Sequence, residues 1–297
     1  MMARFKLILT AFFWGGTFVA GRIVAQTHHP FSAAFLRFTL ASLLFIPVIL
    51  RSEDGFVRLN IRQWIAVGLL GLTGVFAYNI LFFFGLKYIH SARAAVIIAT
   101  NPIFIALFAA LFFKEKLDTW KGMGIVLSVT GAAIVISGGR ISSLFSRSGN
   151  VGDLLIFGCV ACWVTYTLIG KSAMTDLSPL TVVSYSSIIG TFALLIPAVT
   201  HGLYKDWISL TLREGISLAY LAICGTVLGF LWYYQGVKEI GPTKAGIFIN
   251  FVPVSAILLA RLILGEPVST SLISGTVLVV GGVTMTNLNR LRIKINR

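Results

Sequence analysis

Long apolar runs separated by short polar links make up almost the whole chain. A helical run of about 20 apolar residues crosses the roughly 30 Å hydrocarbon core of a bilayer. Within a few residues at each end, such runs occupy positions 5–26, 31–50, 64–86, 92–113, 120–138, 153–171, 178–200, 215–236, 243–264 and 271–289. The pattern predicts an all-α integral membrane protein with ten transmembrane helices.

The second half of the chain repeats the first. Residues 85–115 align with residues 236–266 without a gap. Equivalent positions in the two copies include Pro102 and Pro253, and Glu115 and Glu266. Each apolar run contains a proline near its middle, which breaks the helical hydrogen bonds there. Duplicated, interrupted helices are typical of the binding sites of secondary transporters.

The repeat divides the chain into three parts. Residues 1–138 form a first five-helix repeat, 139–151 a connecting loop, and 152–297 a second five-helix repeat with a basic C-terminal tail. An odd number of spans in each copy places the second copy upside down relative to the first. We therefore predict two inverted repeats, the architecture of alternating-access carriers.

Composition excludes a soluble protein. Hydrophobic residues make up 57% of the chain and charged residues 11%, against about 25% charged residues in soluble domains. The net charge is +14, and most lysines and arginines lie in links or near span ends, which favours a topology signal over nucleic-acid binding. Fifteen of the 24 lysines and arginines lie on the side of the two termini. We therefore expect a multi-pass protein of the cell (inner) membrane with both termini in the cytoplasm.

The titratable residues do not indicate an enzyme. Histidines and carboxylates lie in links or at the ends of spans, which leaves no His/Asp, Ser/His or metal constellation at one depth. Cys159 and Cys162 lie in an apolar span without a partner pair, so packing is the favoured interpretation. We expect no catalytic residue, no metal and no cofactor.

Several short motifs resemble those of a known family. They are WGGTFVAGR in the first span, FLRF at residues 35–38, NPIF in the fourth span, and KEKL and GEPV after the fourth and ninth spans. Together they resemble the drug/metabolite transporter superfamily, and within it the EamA-type exporters, including bacterial amino-acid exporters. The resemblance implies ten helices around a central cavity lined by helices 1, 3, 4, 6, 8 and 9, and the export of small metabolites.

Two aromatic faces are candidates for the cavity wall. Trp14 and Thr17 are three positions apart and share a helix face, and Trp163 and Tyr166 repeat that face in the second half. The alternative is packing between helices or an interfacial belt. Other polar or aromatic residues at membrane depth either bind substrate or satisfy one another: Tyr78, Asn79, Asn101, Trp232, Tyr233 and Asn250.

A second group of residues has a predicted gating or structural role. Arg37 lies seven positions into the second span, where it either anchors at the outer interface or attracts anionic substrate groups to the outer mouth. Glu115 and Glu266 close the fourth and ninth spans, where they fix helix ends or act as gates. Pro102 and Pro253 interrupt those spans.

The leading prediction is an exporter of small metabolites, most of all amino acids. It works by alternating access without a proton-coupling carboxylate at the midplane, and hence by facilitated diffusion. The alternatives are an exporter of drugs or nucleosides, or a lipid flippase. We expect a small-molecule substrate and the lipid bilayer as partners, no nucleic acid, and a monomer or weak dimer.

Overall fold

The computed structural model describes residues 2–52, 55–113, 119–139 and 151–295. Glu115 lies outside these ranges. Within them, the regular secondary structure is helical. The main helices are α1 (Met2–Thr27), α2 (Pro30–Leu50), α3 (Ile61–Tyr88), α4 (Ser91–Ile98 and Asn101–Phe113), α5 (Thr119–Ser137), α6 (Val151–Ala173), α7 (Pro179–Thr200), α8 (Leu212–Ile240), α9 (242–264) and α10 (Thr270–Ile295).

Eight helices of the described ranges are long and apolar enough to cross a membrane. They are α1 to α4 and α6 to α9. The apolar parts of α5 and α10, Gly122–Ser137 and Thr270–Met285, are shorter. The predicted all-helical membrane class is confirmed, and the count of ten spans stays a prediction.

Helix ends follow local sequence signals. The Ser178 hydroxyl accepts the backbone N–H of Thr181, and Pro179 takes the first helical position of α7. Thr211 and Glu214 form a reciprocal capping box at the start of α8. These caps fix the first residues of α7 and α8.

Helices α4 and α9 are interrupted close to their prolines, as predicted. In α4 the helix breaks at residues 99–100, and Pro102 stands in the first turn after the break. In α9 a 3₁₀ segment, Ile247–Phe251, directly precedes the helix that contains Pro253. Both breaks lie at the centre of the molecule, where they free backbone and side-chain polar groups.

Helices α3 and α8 each contain a wide π-helical segment at equivalent positions. The segments are Gly71–Ala77 and Leu221–Leu228. Asn79 Nδ2 donates to the Val75 carbonyl at 2.8 Å, and Thr226 Oγ1 donates to the Leu221 carbonyl at 3.0 Å. Polar side chains thus satisfy carbonyls of both segments. Segments of this kind are frequent at functional sites.

Equivalent residues of the two halves meet in space. Trp14 and Trp163, 149 positions apart, contact each other edge to face with ring centroids 5.1 Å apart. Ser42 and Thr191, at the same separation, hydrogen-bond through their hydroxyls at 2.9 Å. Helix α1 packs against α8 and α9, and α6 packs against α3 and α4. The first helix of each half therefore contacts the third and fourth helices of the other.

Helices α5 and α10 pack through glycines. A Cβ at Gly131 would lie 2.6 Å from the Gly275 carbonyl oxygen, and a Cβ at Gly282 would lie 2.5 Å from the Gly124 carbonyl oxygen. These paired contacts again exchange equivalent positions of the two halves. The small residues allow the two backbones to approach within van der Waals contact.

Candidate functional site

A small cavity of about 30 Å³ lies where the two halves meet. Seven helices line it: α1, α2, α3, α4, α6, α8 and α9. Six of these are the helices that the family resemblance implies, and α2 is added. The volume is about that of one water molecule. The space is therefore too small for an amino acid.

Half of the residues that line the cavity are aromatic. Trp163 lies at the centre, with Trp14, Phe230 and Tyr78 at centroid distances of 5.1, 5.2 and 5.6 Å. Trp14 Nε1 donates to the Gly225 carbonyl at 2.9 Å, which fixes one indole against the π segment of α8. Indole faces attract cations as well as apolar groups.

Arg37 contributes a charge to the same wall. Arg37 is 3% exposed, so the guanidinium is buried in the cavity wall. Arg37 Nε donates to Thr226 Oγ1 at 3.0 Å, and Nη1 donates to Asn79 Oδ1 at 2.9 Å. Arg37 therefore connects the π segment of α8 to Asn79, which lies just after the π segment of α3.

Asn101 adds an acceptor. It lines the cavity at the break in α4, and its Oδ1 is buried with no hydrogen-bond partner among the described residues. Thr17 also lines the cavity, but its hydroxyl donates to the Trp14 carbonyl at 2.6 Å. Asn101 is thus the cavity amide whose hydrogen-bonding capacity remains open.

Of the ten residues predicted to bind substrate, five line the cavity: Trp14, Thr17, Tyr78, Asn101 and Trp163. Asn79 lies behind Arg37, and Tyr233 lies behind the tryptophans, 5.2 Å from the Trp14 ring. The other three predicted residues are Tyr166, Trp232 and Asn250. Like Asn79 and Tyr233, they do not line the cavity.

Those three residues have different surroundings. Tyr166 is fully buried and packs on Gly74. Asn250 is 2% exposed, and neither of its amide atoms has a partner within the described ranges. Trp232 is half-buried and stacks against Phe13 at 5.9 Å.

A cluster of polar side chains around Glu266 lies near the start of α4. The Glu266 carboxylate accepts the backbone N–H groups of Ser91 and Ala92 at 3.0 and 3.2 Å, and the Ser91 hydroxyl at 2.9 Å. It also forms an ion pair with Arg22 Nε at 3.3 Å. Glu266 therefore joins the end of α9 to the first turn of α4 and to α1. A carboxylate at a helix N-terminus is favourable.

Arg22 extends this cluster to α3. Its Nη1 donates to the Leu86 carbonyl at 2.8 Å and to the Ile89 carbonyl. The cluster borders an open, partly polar hollow of about 530 Å³ that also contains His90 and Glu214. This hollow lies on the same side of the molecule as the start of α4.

A second polar contact on this side joins the end of α1 to α8. The Thr27 hydroxyl donates to Glu214 Oε1. The buried His28 lies between two carboxylates, with Nε2 3.1 Å from Glu214 Oε2 and Nδ1 3.5 Å from Asp206 Oδ1. Burial and the neighbouring His201 lower the pKa of His29, which lies in the link between α1 and α2.

An apolar groove runs between α4 and α6. It has a volume of about 750 Å³ and is lined by Phe104, Phe108, Phe157, Val160, Ala161, Val164, Thr165, Leu168, Ile169 and Ser172. Phe108, Ala161 and Thr165 are exposed, so the groove opens at the surface of the helix bundle. It is separate from the central cavity.

Sequence reasoning missed the partners of the charged residues. Arg22 and Glu266 are 244 positions apart, and neither sequence distance nor hydropathy brings them together. One signal was present: Arg22 has an equivalent in Lys171, and Glu266 has one in Glu115. The recurrence of opposite charges at these positions was the signal that could have suggested the contact of Arg22 with Glu266. The described residues contain no group of three or more His, Cys, Asp and Glu side chains placed to hold a metal ion.

The chain is similar to known transporters. The model of the EamA-like transporter family matches residues 1–137 and again residues 150–288. The uncharacterized transporter YyaM of Bacillus subtilis (strain 168) is 31% identical over 272 residues, which cover 91% of this chain and 88% of that protein. An uncharacterized transporter of Archaeoglobus fulgidus is 30% identical, with 93% and 95% covered.

Two further similarities extend over nearly the full chain. A probable terminal-alkyne amino-acid exporter of Streptantibioticus cattleyicolor is 26% identical over 292 residues, covering 97% of this chain and 94% of that protein. A protein of known crystal structure has the same fold, with a TM-score of 0.69, 20% identity, and 95% and 96% of the two chains covered. The chain belongs to the EamA-like transporter family and is a multi-pass membrane transporter.

Proposed function

We propose that this protein exports small metabolites, and amino acids in particular, across the inner membrane by alternating access. The observation that carries the proposal is the contact of Trp14 with Trp163 over a closed cavity shared by both halves. A site shared by two repeats can open to either side when the repeats rock against each other. The similarity to a probable amino-acid exporter favours this class of substrate.

The proposed architecture is ten helices in two inverted five-helix repeats, with both termini in the cytoplasm. The family model matches each half separately, which supports the repeat. The reciprocal contacts of α1 with α8 and α9, and of α6 with α3 and α4, support a two-fold relation between the halves. The odd number of spans in each half then requires the inversion.

In this mechanism the cluster around Glu266 closes the outer side. Its bonds to Arg22, Ser91 and Ala92 connect α1, α4 and α9, three of the helices that line the cavity. Lys171 and Glu115 are the equivalents of Arg22 and Glu266 in the sequence repeat. Opening of the Glu266 cluster, when the halves rock against each other, exposes the cavity to the outer side.

Transport is proposed to need no proton gradient. The buried carboxylates of the described residues, Asp153, Glu214 and Glu266, all lie at helix ends. A proton relay across the membrane normally uses a titratable group at depth. Facilitated diffusion then moves the substrate down its own gradient.

A second candidate substrate class is lipid-like. The exposed apolar groove between α4 and α6 has room for an acyl chain, and it favours a flippase or an exporter of apolar drugs over one for nucleosides. Its lining contains no charged residue that would hold a headgroup. The cavity between the tryptophans therefore remains the favoured site for a small polar substrate.

Uptake by proteoliposomes tests the proposal. Vesicles that contain the purified protein, without an ion gradient, are expected to equilibrate at least one radiolabelled amino acid faster than protein-free vesicles. Fluorescent lipid analogues and labelled nucleosides are measured in parallel. Movement of these probes without any uptake of amino acids would replace the proposal with one of the alternatives.

A further inference from the structure

Arg37 is a buried cation without an acidic partner. Its side chain is 3% exposed, and within the described part of the chain it forms no ion pair. Its guanidinium lies 5.2 Å from the centroid of the Phe38 ring, which compensates a charge only in part. A charge removed from water is costly unless it is paired. The cavity therefore contains a positive charge that a ligand anion would neutralise.

The hydrogen bonds of Arg37 leave one edge of the guanidinium available. Nε is held by Thr226 and Nη1 by Asn79, which fixes the plane of the group. Nη2 makes no hydrogen bond to the described residues. Gly225 keeps this region open, because a Cβ there would lie 3.4 Å from Nη2 and 2.6 Å from Thr17 Cγ2. A guanidinium edge is a strong donor to carboxylate.

A purely structural role explains Arg37 less well. The contacts to Thr226 and Asn79 need two donors, which a neutral amide side chain also supplies. The positive charge and the remaining donors go unused in such a role. Because the charge and these donors lie in the wall of the cavity, they are placed to bind a substrate there.

Asn101 supplies the complementary acceptor. Its buried Oδ1, in the same cavity wall, has no partner among the described residues. An ammonium group would satisfy this oxygen, and the faces of Trp14 and Trp163 would attract the same cation. Donor and acceptor thus match the two charged groups of a zwitterion.

We propose that Arg37 binds the carboxylate of the transported molecule and that Asn101 binds its ammonium group, so that the substrates are α-amino acids with both groups free. This inference rests on the proposed transport through the central cavity. It goes further because it excludes amines and esters that lack the carboxylate. The cavity of about 30 Å³ requires that the two halves separate before such a molecule enters.

The test uses the amino acid that wild-type vesicles take up fastest, its α-amide, and its 2-hydroxy-acid analogue. The α-amide lacks the carboxylate, and the hydroxy acid lacks the ammonium group. Each analogue competes with the labelled amino acid in counterflow. Wild type is expected to bind the amide at least about tenfold more weakly, since a charge-assisted hydrogen bond is lost. If the wild-type protein binds the α-amide as tightly as the amino acid, the proposal is overturned, and no variant is needed.

Variants of Arg37 then separate binding from folding. Arg37→Gln is expected to lose the preference for acid over amide, and Arg37→Lys to keep part of it, with Arg62→Gln as a control that removes an exposed charge. If Arg37→Gln unfolds, Arg37→Lys keeps the charge. A folded Arg37→Lys protein that binds the amino acid more tightly than its amide supports the proposal, and a folded one without any such preference overturns it.

The outcomes distinguish the two proposals. Transport of hydroxy acids without amino acids would leave the role of Arg37 intact and refute amino-acid export. Transport of amino acids together with their amides would refute the role of Arg37 and leave amino-acid export intact. Transport of amines alone would refute both.

Discussion

Trp14 and Trp163 stand 149 positions apart and contact each other edge to face at the centre of the protein, 5.1 Å between ring centroids. Each is the equivalent of the other in the two halves. The pair therefore lies where the two halves meet, in the wall of the central cavity.

Removing one ring of this pair is expected to slow transport. Trp163→Ala loses contacts with Trp14, Phe230 and Tyr78, each worth about 0.5–1.5 kcal/mol beyond burial. We expect the initial uptake rate of the best amino-acid substrate to fall by about tenfold or more. The matched control is Trp232→Ala, which removes a half-buried tryptophan outside the cavity lining.

Uptake is measured per milligram of folded protein, judged by gel filtration. The control is expected to stay within about twofold of wild type, because a half-buried ring outside the site contributes mainly to packing. Equal losses in both variants would show that general packing, not the cavity wall, sets the rate.

Replacing either of two glycines of α5 by alanine is expected to change the free energy of unfolding in opposite directions. Gly131→Ala places a methyl group 2.6 Å from the Gly275 carbonyl oxygen and 2.8 Å from Leu278 Cβ, so that α5 and α10 must shift apart. We expect a loss of about 1–3 kcal/mol in the free energy of unfolding. Gly122→Ala meets no atom within 4 Å and is expected to stabilise by about 0.5–1 kcal/mol.

Thermal unfolding in detergent compares the two glycine variants. A lower Tm for Gly131→Ala and an unchanged or higher Tm for Gly122→Ala support the packing of α5 on α10. Equal Tm values would mean that these helices are not in contact at Gly131.

An imposed pH gradient is not expected to concentrate the substrate inside vesicles. Asp153, Glu214 and Glu266 are held at helix ends by hydrogen bonds or ion pairs, away from the centre of the bundle. Uptake with the gradient is expected to reach the same plateau as without it. Accumulation above the external concentration, abolished by a protonophore, would contradict facilitated diffusion.

Sequence pattern was sufficient for the helices and for the duplication. The apolar runs predicted α1 to α10 to within a few residues, and the repeated prolines predicted the breaks in α4 and α9. These features depend on neighbours in the chain or on self-similarity. Both are visible in one sequence.

The surroundings of Arg37 could not be predicted in the same way. Its hydrogen-bond partner Thr226 lies 189 positions away. Thr226 belongs to a π-helical segment that no local sequence pattern predicts. Hydropathy placed the arginine near the outer interface, where a long side chain usually reaches water. The packing of α2 against α3 and α8 buries it at the cavity instead.

The measurement that tests alternating access most directly is two-sided labelling of a cavity cysteine. Thr17→Cys is introduced after Cys159, Cys162 and Cys224 are replaced, and vesicles of both orientations receive a membrane-impermeant maleimide. Glu266→Gln weakens a charge-assisted closure, which is worth about 1.5–3 kcal/mol per bond. Glu239→Gln, at an exposed carboxylate, is the control.

The account predicts that Glu266→Gln raises the labelling rate from the Glu266 side by about tenfold and lowers it from the opposite side, while Glu239→Gln changes neither rate. Unchanged rates for Glu266→Gln, or a rise on both sides at once, would contradict alternating access controlled by this ion pair.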